Sequence, residues 1–268
     1  MGMYIWTEVA RTGISAGDEI ILLRKNDLYE IRYNGMELMC SSCHQSEDFL
    51  AEKALRLLGR PARKVLIGGL GLGYTLRMVL NFLDDDAQVV VSEIVPEIVH
   101  WNRHYFGHLA GNPLDDPRVE VRVEDVRHTL DNGREAYDVV LMDTDNGPEH
   151  LVRTENGDIY RECGIRAVER ALTPGGIAAF WSSELSPAFE KRLDVLPWTW
   201  RCDSVPLSGG RVDAFHHVYL ASRDAANLHY PRVVGASTAM TTMSERNAGA
   251  SLPRPPEDGS HLLRVRRA

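Results

Sequence analysis

The chain has 268 residues, of which 44% are hydrophobic and 25% charged, and its formal net charge is −8. These values are typical of a soluble globular chain with one sizeable core, and the negative charge argues against a general nucleic-acid or anionic-membrane surface. No stretch reaches membrane-spanning length and the first ten residues show no signal-peptide pattern, so we expect a cytoplasmic protein with reduced cysteines.

The first 45 residues predict a small N-terminal β-hairpin unit. Apolar and polar residues alternate at 19–24, 28–33 and 36–39, and the pair Asn34-Gly35 separates the last two runs. An Asn-Gly pair between alternating runs is a strong hairpin signal, because both residues accept the left-handed turn conformation.

Residues 46–222 predict a single α/β domain. Helices are expected at 46–58, 74–82, from about 96, at 160–172 and at 187–193, and strands at 65–67, 88–92, 119–123, 137–142, 177–181 and 217–220. Such alternation implies a mostly parallel sheet with helices on both faces. From 223 to 268 Ala, Ser, Thr, Pro, Gly and Arg dominate, which predicts a disordered tail or a loose arm.

A glycine-rich turn follows the first strand of this domain. The loop reads Gly69-x-Gly71-x-Gly73, and Glu93 follows its last glycine by twenty positions. Glycines let the backbone approach a nucleoside closely, and a later carboxylate can accept hydrogen bonds from ribose hydroxyls. A nicotinamide fingerprint would place the third glycine at Tyr74. The pattern therefore predicts an adenosine-containing cofactor and leaves its identity open.

Two further carboxylates stand at equivalent positions. Asp125 follows the third strand and Asp143 ends the fourth. Ligands of open α/β sheets bind outside the carboxyl ends of the strands, so we expect Gly69–Gly73, Glu93, Asp125 and Asp143 to converge on one crevice. Each acid taken alone is more often a helix cap or a turn former.

Several segments together resemble the class I S-adenosylmethionine-dependent methyltransferase superfamily, and within it the spermidine synthase-like branch. They are VLIGGLGLGYTLR at 65–77, Glu93-Ile94, DDPRV at 115–119, Glu124-Asp125, YDVVLMD at 137–143 and Gly147-Pro148. The resemblance implies a Rossmann-like, seven-stranded methyltransferase sheet. It also implies that Glu93 holds the ribose, Asp125 meets the adenine amine, Asp143 is the base on the attacking amine and Asp145 helps to seat a polyamine.

The sequence departs from that family at positions expected near the acceptor. Leu72 stands where aminopropyltransferases carry an aspartate, and their Tyr-His pair falls on Leu50 and Ala51. These departures predict an altered polyamine pocket, less polar where it meets the end of the cofactor's tail.

We predict a transferase that uses S-adenosylmethionine or decarboxylated S-adenosylmethionine on a small, amine-bearing acceptor, with catalytic roles for Asp143 and Asp145. Methyl transfer to a small molecule and a non-catalytic nucleoside-binding module are the alternatives, and a dehydrogenase is a more distant one. Nucleic acid and membrane are not expected as partners, and a homodimer is left open.

Other polar residues have simpler explanations. Cys40-x-x-Cys43-His44 matches a haem-attachment pattern, which would need export, so we treat it as coincidence. His100, His104 and His108 would share a helical face, which we expect to be solvated or at an interface, with no metal site.

Three further groups lie near the expected crevice. His44, Gln45 and Glu47 begin the first helix and could close over the cofactor, as the corresponding segment does in the resembled family. His216 and His217 either border the acceptor pocket or pack in the core, with packing preferred. Trp181, Trp198 and Trp200 are expected in the core or at an interface.

Overall fold

A computed structural model describes residues 5–15, 17–149, 151, 157–207, 215–228 and 264–266. In these ranges the α-helices are α1 (Gln45–Leu58), α2 (Tyr74–Phe82), α3 (Pro96–Trp101), α4 (Val126–Asp131), α5 (Glu162–Ala171) and α6 (Pro187–Leu193). The strands are β1 (Thr7–Ser15), β2 (Asp18–Lys25), β3 (Leu28–Tyr33), β4 (Met36–Cys40), β5 (Lys64–Gly68), β6 (Gln88–Ser92), β7 (Val119–Arg122), β8 (Tyr137–Met142), β9 (Leu172–Ser182), β10 (Thr199–Pro206), β11 (Phe215–Ser222) and β12 (Arg264–Arg266).

The N-terminal strands form an antiparallel sheet in the order β1-β2-β3-β4. The β3–β4 turn holds Asn34 and Gly35 at φ 47° and 81°, the left-handed conformation that an Asn-Gly hairpin turn requires. The predicted hairpin is therefore confirmed. β1 is an additional strand of the same sheet and was not predicted.

The second sheet has the order β10-β11-β9-β8-β5-β6-β7, with β12 on its edge beside β10. β5, β6, β7, β8 and β9 pair in parallel, whereas β10 and β11 run antiparallel to their neighbours. This confirms the predicted seven-stranded α/β sheet, to which β12 adds a short edge strand. β10 was not predicted.

Helices cover both faces of this sheet, so the central strands are buried on both sides. On β5, Val65 and Ile67 pack in one core cluster with α1 and α2, and Leu66 packs in the other with α5. All three side chains are at most 1% exposed. The alternation along the strand sends successive side chains to opposite layers.

The segment with three histidines is not one continuous α-helix. α3 ends at Trp101, a π-helical turn covers Asn102–Phe106 and a 3-10 turn covers Gly107–Ala110. The rings of His100 and His104 lie 4.1 Å apart, whereas His108 lies edge-on to Tyr29 at 6.3 Å. The expectation of one shared face for all three histidines was therefore wrong, because the backbone changes its helical period after Trp101.

Two features are absent from the described residues. They contain no group of three or more His, Cys, Asp or Glu side chains placed to hold a metal ion. No helix among them is long and apolar enough to cross a bilayer. Most of the predicted tail, at 229–263 and 267–268, lies outside the described residues.

Candidate functional site

The carboxyl ends of the central parallel strands meet at one edge of the sheet. The backbone N–H of Asp143, just after β8, donates to the Gly68 carbonyl at the end of β5 over 2.9 Å. The N–H of Glu93, just after β6, donates to the Arg122 carbonyl at the end of β7 over 3.0 Å. These bonds fix both carboxylates beside the glycine loop, as the strand-end argument predicts.

The loop glycines cannot be replaced without strain. Gly69, Gly71 and Gly73 have φ values of 90°, 50° and 88°, which side chains rarely adopt. A Cβ on Gly69 would lie 2.2 Å from the Asp143 carbonyl oxygen, and one on Gly71 would lie 2.9 Å from the Met39 sulfur. The loop is therefore bare backbone between two neighbouring segments.

Glu93 is 7% exposed and holds this loop. Its carboxylate accepts the N–H groups of Leu70 and Val95, each over 2.9 Å. Burial raises the pKa of Glu93, although backbone N–H groups oppose the change. Glu93 thereby fixes the loop at the wall of a cavity.

The loop, Glu93 and Asp143 line one cavity of about 120 Å³. A smaller cavity of about 50 Å³ adjoins it, shares Gly69, Glu93 and Thr144 with it, and extends to Asp125. The predicted cofactor residues therefore line two adjoining cavities at this edge of the sheet.

Asp125 also caps a helix. Its Oδ1 accepts the Arg127 N–H over 2.8 Å at the start of α4. The cap explains why an acid stands there, and it fixes the carboxylate at the wall of the smaller cavity. Contact with an adenine amine stays a prediction.

Asp143 shares the cavity of about 120 Å³ with a second acid. Its Oδ2 accepts the Thr75 hydroxyl over 2.6 Å, and burial raises its pKa to about 6. Glu47, in the first turn of α1, lines the same cavity, and burial, followed by the charge of Asp143, raises its pKa to about 7. We call Glu47 and Asp143 the acid pair. Two carboxylates in one partly desolvated space favour a cation between them.

Asp145 and Leu72 line the same cavity as the acid pair. Asp145 is 8% exposed, and its Oδ1 accepts the Asn146 N–H over 3.0 Å. Leu50 and Ala51, in contrast, are fully buried in the core and line neither this cavity nor its neighbours. Of Leu72, Leu50 and Ala51, only Leu72 therefore lines this cavity.

A larger cavity of about 540 Å³ meets the first one at Glu47 and Trp181. Glu37, Glu149 and His216 also line it. His216 lies edge-on to Trp181 with ring centres 4.6 Å apart, and burial lowers its pKa to about 4. Packing was the preferred role for His216; the structure shows that it packs and also borders this cavity.

The N-terminus of α1 is tied to the glycine loop. The His44 ring stacks on Tyr74, the first residue of α2, with centres 4.1 Å apart. Asp48 receives hydrogen bonds from His44 over 2.8 Å and from Arg77 over 2.5 Å. These contacts hold Glu47 over the cavity. Sequence reasoning placed this segment over the cofactor, but it did not pair Glu47 with Asp143.

Comparison with known proteins places this geometry in a family. The spermine/spermidine synthase domain matches residues 48–193. A polyamine aminopropyltransferase of Prochlorococcus marinus is 27% identical over 193 residues, which cover 65% of this chain and 64% of that relative. Polyamine aminopropyltransferase 2 of Pseudomonas aeruginosa is 30% identical over 158 residues, which cover 58% of this chain and 43% of that relative. The chain thus spans less than two thirds of the length of these relatives.

A solved structure agrees in fold. The crystal structure of a spermidine synthase in complex with the transition-state analogue AdoDATO matches with a TM-score of 0.68 at 21% identity, covering 82% of this chain and 75% of that one. The domain match includes most of α1, the glycine loop, Glu93 and both strand-end aspartates. The chain belongs to the spermine/spermidine synthase family.

Proposed function

We propose that this protein transfers an aminopropyl group from decarboxylated S-adenosylmethionine to a small amine. The observation that carries the proposal is the acid pair, which faces the same cavity as the glycine loop and Glu93. A nucleoside site beside two carboxylates suits a reaction between a sulfonium nucleoside and a cationic amine. The names of the relatives favour aminopropyl transfer over methyl transfer.

The residues present fit such a donor. Bare backbone at Gly69 and Gly71 leaves no room for a side chain, which suits close approach of a ligand to the loop. Glu93 would hold the ribose hydroxyls, and Asp125 would hold the adenine amine from the adjoining cavity. When bound, the donor supplies an aminopropyl carbon activated by a positively charged sulfur.

The acid pair would prepare the acceptor. A primary amine is an ammonium ion at neutral pH and cannot attack carbon until it has lost a proton. Asp143 and Glu47 attract that ammonium ion, and one carboxylate takes its proton. The raised pKa values, about 6 and about 7, make these carboxylates better proton acceptors than ordinary ones. The freed nitrogen lone pair then forms the bond to carbon, and the sulfur keeps the electron pair of the broken bond.

Asp145 and Leu72 would shape the two sides of the acceptor position. Asp145, two residues after the base, adds a third carboxylate to the cavity wall and would bind a second ammonium group or orient the first. Leu72 presents an apolar side chain where the resembled family has an acid. We therefore propose weaker recognition of the amino end of the donor than in standard spermidine synthases.

The test combines binding and turnover. Calorimetric titration should show tighter binding of decarboxylated S-adenosylmethionine than of S-adenosylmethionine, and methylthioadenosine should bind as the product. Turnover of a panel of amines should then release methylthioadenosine. Preference for S-adenosylmethionine with methylated products would establish the methyltransferase alternative, and binding without turnover of any amine would indicate a nucleoside-binding module. Failure to bind any of the three ligands would refute the proposal.

A further inference from the structure

A chain of hydrogen bonds leads away from the acid pair. The Ser46 hydroxyl lies 2.6 Å from a carboxylate oxygen of Glu47 and 2.9 Å from Nδ1 of His216. Ser46 is 0% exposed, so bulk water does not compete with these bonds. Glu47 lines the first cavity and the larger second one, and His216 lines only the second.

We propose that Glu47, Ser46 and His216 form a proton relay, which carries the proton of the acceptor amine from the first cavity to the second cavity. This inference builds on the proposed function, because the proton comes from the ammonium ion that the acid pair binds. In this arrangement Glu47 is a catalytic residue, and Ser46 and His216 are positioning residues that act through it.

The proton balance is complete without another reactant. The ammonium nitrogen loses one proton to Asp143, the base, which passes it to Glu47 within the cavity that both line. The Ser46 hydroxyl donates to Glu47 while that carboxylate is ionised. Once Glu47 is protonated, its carboxyl donates to the Ser46 oxygen, and the Ser46 hydroxyl turns and gives its proton to Nδ1 of His216. The imidazolium formed releases its Nε2 proton to solvent in the second cavity. One proton leaves the amine, one reaches solvent, and all three side chains regain their starting charge. The imidazole is left with its proton on Nδ1, and water-assisted transfer of that proton to Nε2 restores the relay for the next turnover.

Burial governs how His216 passes the proton on. Removal from water lowers the pKa of His216 to about 4, so its imidazole is neutral at physiological pH. Transfer from Glu47, whose pKa is about 7, is therefore unfavourable by about 10³-fold, and the imidazolium is a transient carrier that gives its proton readily to solvent. The titratable groups around it are His217, next in the chain, and the other acids and thiols of the second cavity, Glu37, Cys40, Cys43, Glu47 and Glu149.

The neighbouring histidine offers a matched control. His217 is also partly buried with a lowered pKa, and its Nδ1 lies 3.1 Å from the Ser204 hydroxyl. It lines neither of the two cavities. Both histidines thus form a hydrogen bond with a serine, but only the serine bonded to His216 is also bonded to Glu47.

The kinetic test uses chemical rescue. His216→Ala should lower kcat by about 10- to 100-fold with little change in KM, and added imidazole should restore much of the loss, because the second cavity of about 540 Å³ admits it. Ser46→Ala should lower kcat by a similar factor, and added imidazole should not restore it. His217→Ala should keep the wild-type kcat, and added imidazole should not change it. A His216→Ala protein that keeps kcat within twofold, or that folds and does not respond to imidazole, overturns the relay.

A second measurement is independent of turnover. In ¹⁵N NMR spectra of histidine-labelled protein, Glu47→Gln should change the protonation of His216 Nδ1, and Ser46→Ala should abolish that coupling. His217 should change in neither variant. If no amine is turned over, the proposed function fails and the NMR result alone decides whether Glu47 and His216 exchange a proton. Unchanged His216 resonances in both variants refute the relay at any level of activity.

Discussion

Replacing Asp143 with asparagine removes one charge and almost no volume. The new amide keeps an oxygen that can accept the Thr75 hydroxyl, now 2.6 Å from the carboxylate, and the backbone bond from residue 143 to Gly68 is unaffected. What the variant loses is the ability to accept a proton. We expect kcat to fall by about 10²- to 10⁴-fold, with donor affinity changed by less than about tenfold, because Glu93 and the glycine loop remain.

The same substitution should stabilise the fold. Burial raises the pKa of Asp143 from 3.8 to about 6, and at 1.36 kcal/mol per pKa unit this corresponds to at most about 3 kcal/mol of destabilisation when the group is ionised. The sign follows from linkage: between pH 4 and 6 the unfolded chain loses this proton first, so stability falls as pH rises and then stays low. The free energy of unfolding of Asp143→Asn should therefore equal that of the wild type near pH 4 and exceed it above pH 6.

The assay is urea unfolding at pH 4 and pH 8 together with steady-state turnover. Asp86→Asn, at an exposed position, is the matched control and should change neither quantity. If Asp143→Asn retains turnover within tenfold, Asp143 is not the base. A variant that loses turnover but gains no stability at pH 8 would show that the carboxylate is not held in a desolvated position.

Three further outcomes follow from the site. Glu93→Gln should weaken donor binding by at least about tenfold in calorimetry and lower Tm, because an amide cannot accept both backbone N–H groups as the carboxylate does; unchanged binding would contradict the ribose assignment. Gly69→Ala should cost at least about 2 kcal/mol in urea unfolding, whereas Gly17→Ala, at φ 100° with no atom within 4 Å, should cost about 1 kcal/mol; equal costs would mean that the loop can shift. In a pH profile, kcat/KM should rise from pH 5 and bend near pH 7, where Glu47 ionises, and in Glu47→Gln the bend should move to lower pH.

The sequence by itself determined the elements whose signals are local. The apolar runs of β5, β6 and β8 predict buried strands, and a glycine turn after β5 predicts a nucleoside crevice, because strand polarity and turn conformation depend on neighbouring residues. β10 escaped prediction, since the charged residues Arg201 and Asp203 interrupt its apolar pattern. Both are buried and pair with each other over 2.9 Å, a pairing that local hydropathy does not reveal.

Only the tertiary structure decided how the site is completed. Nothing in the sequence around Glu47 indicates that it faces Asp143, and Ser46 meets His216 across 170 positions of the chain. These contacts arise because α1 packs across β8, β9 and β11 and is held at the glycine loop by the His44–Tyr74 stack. Sequence periodicity determines which face of a helix is buried, whereas the partner of a polar group depends on how the elements pack together. The family's fold could therefore be predicted from residues that are close in the sequence. The electrostatics of the cavity that holds the acid pair depend on packing and are seen only in the tertiary structure.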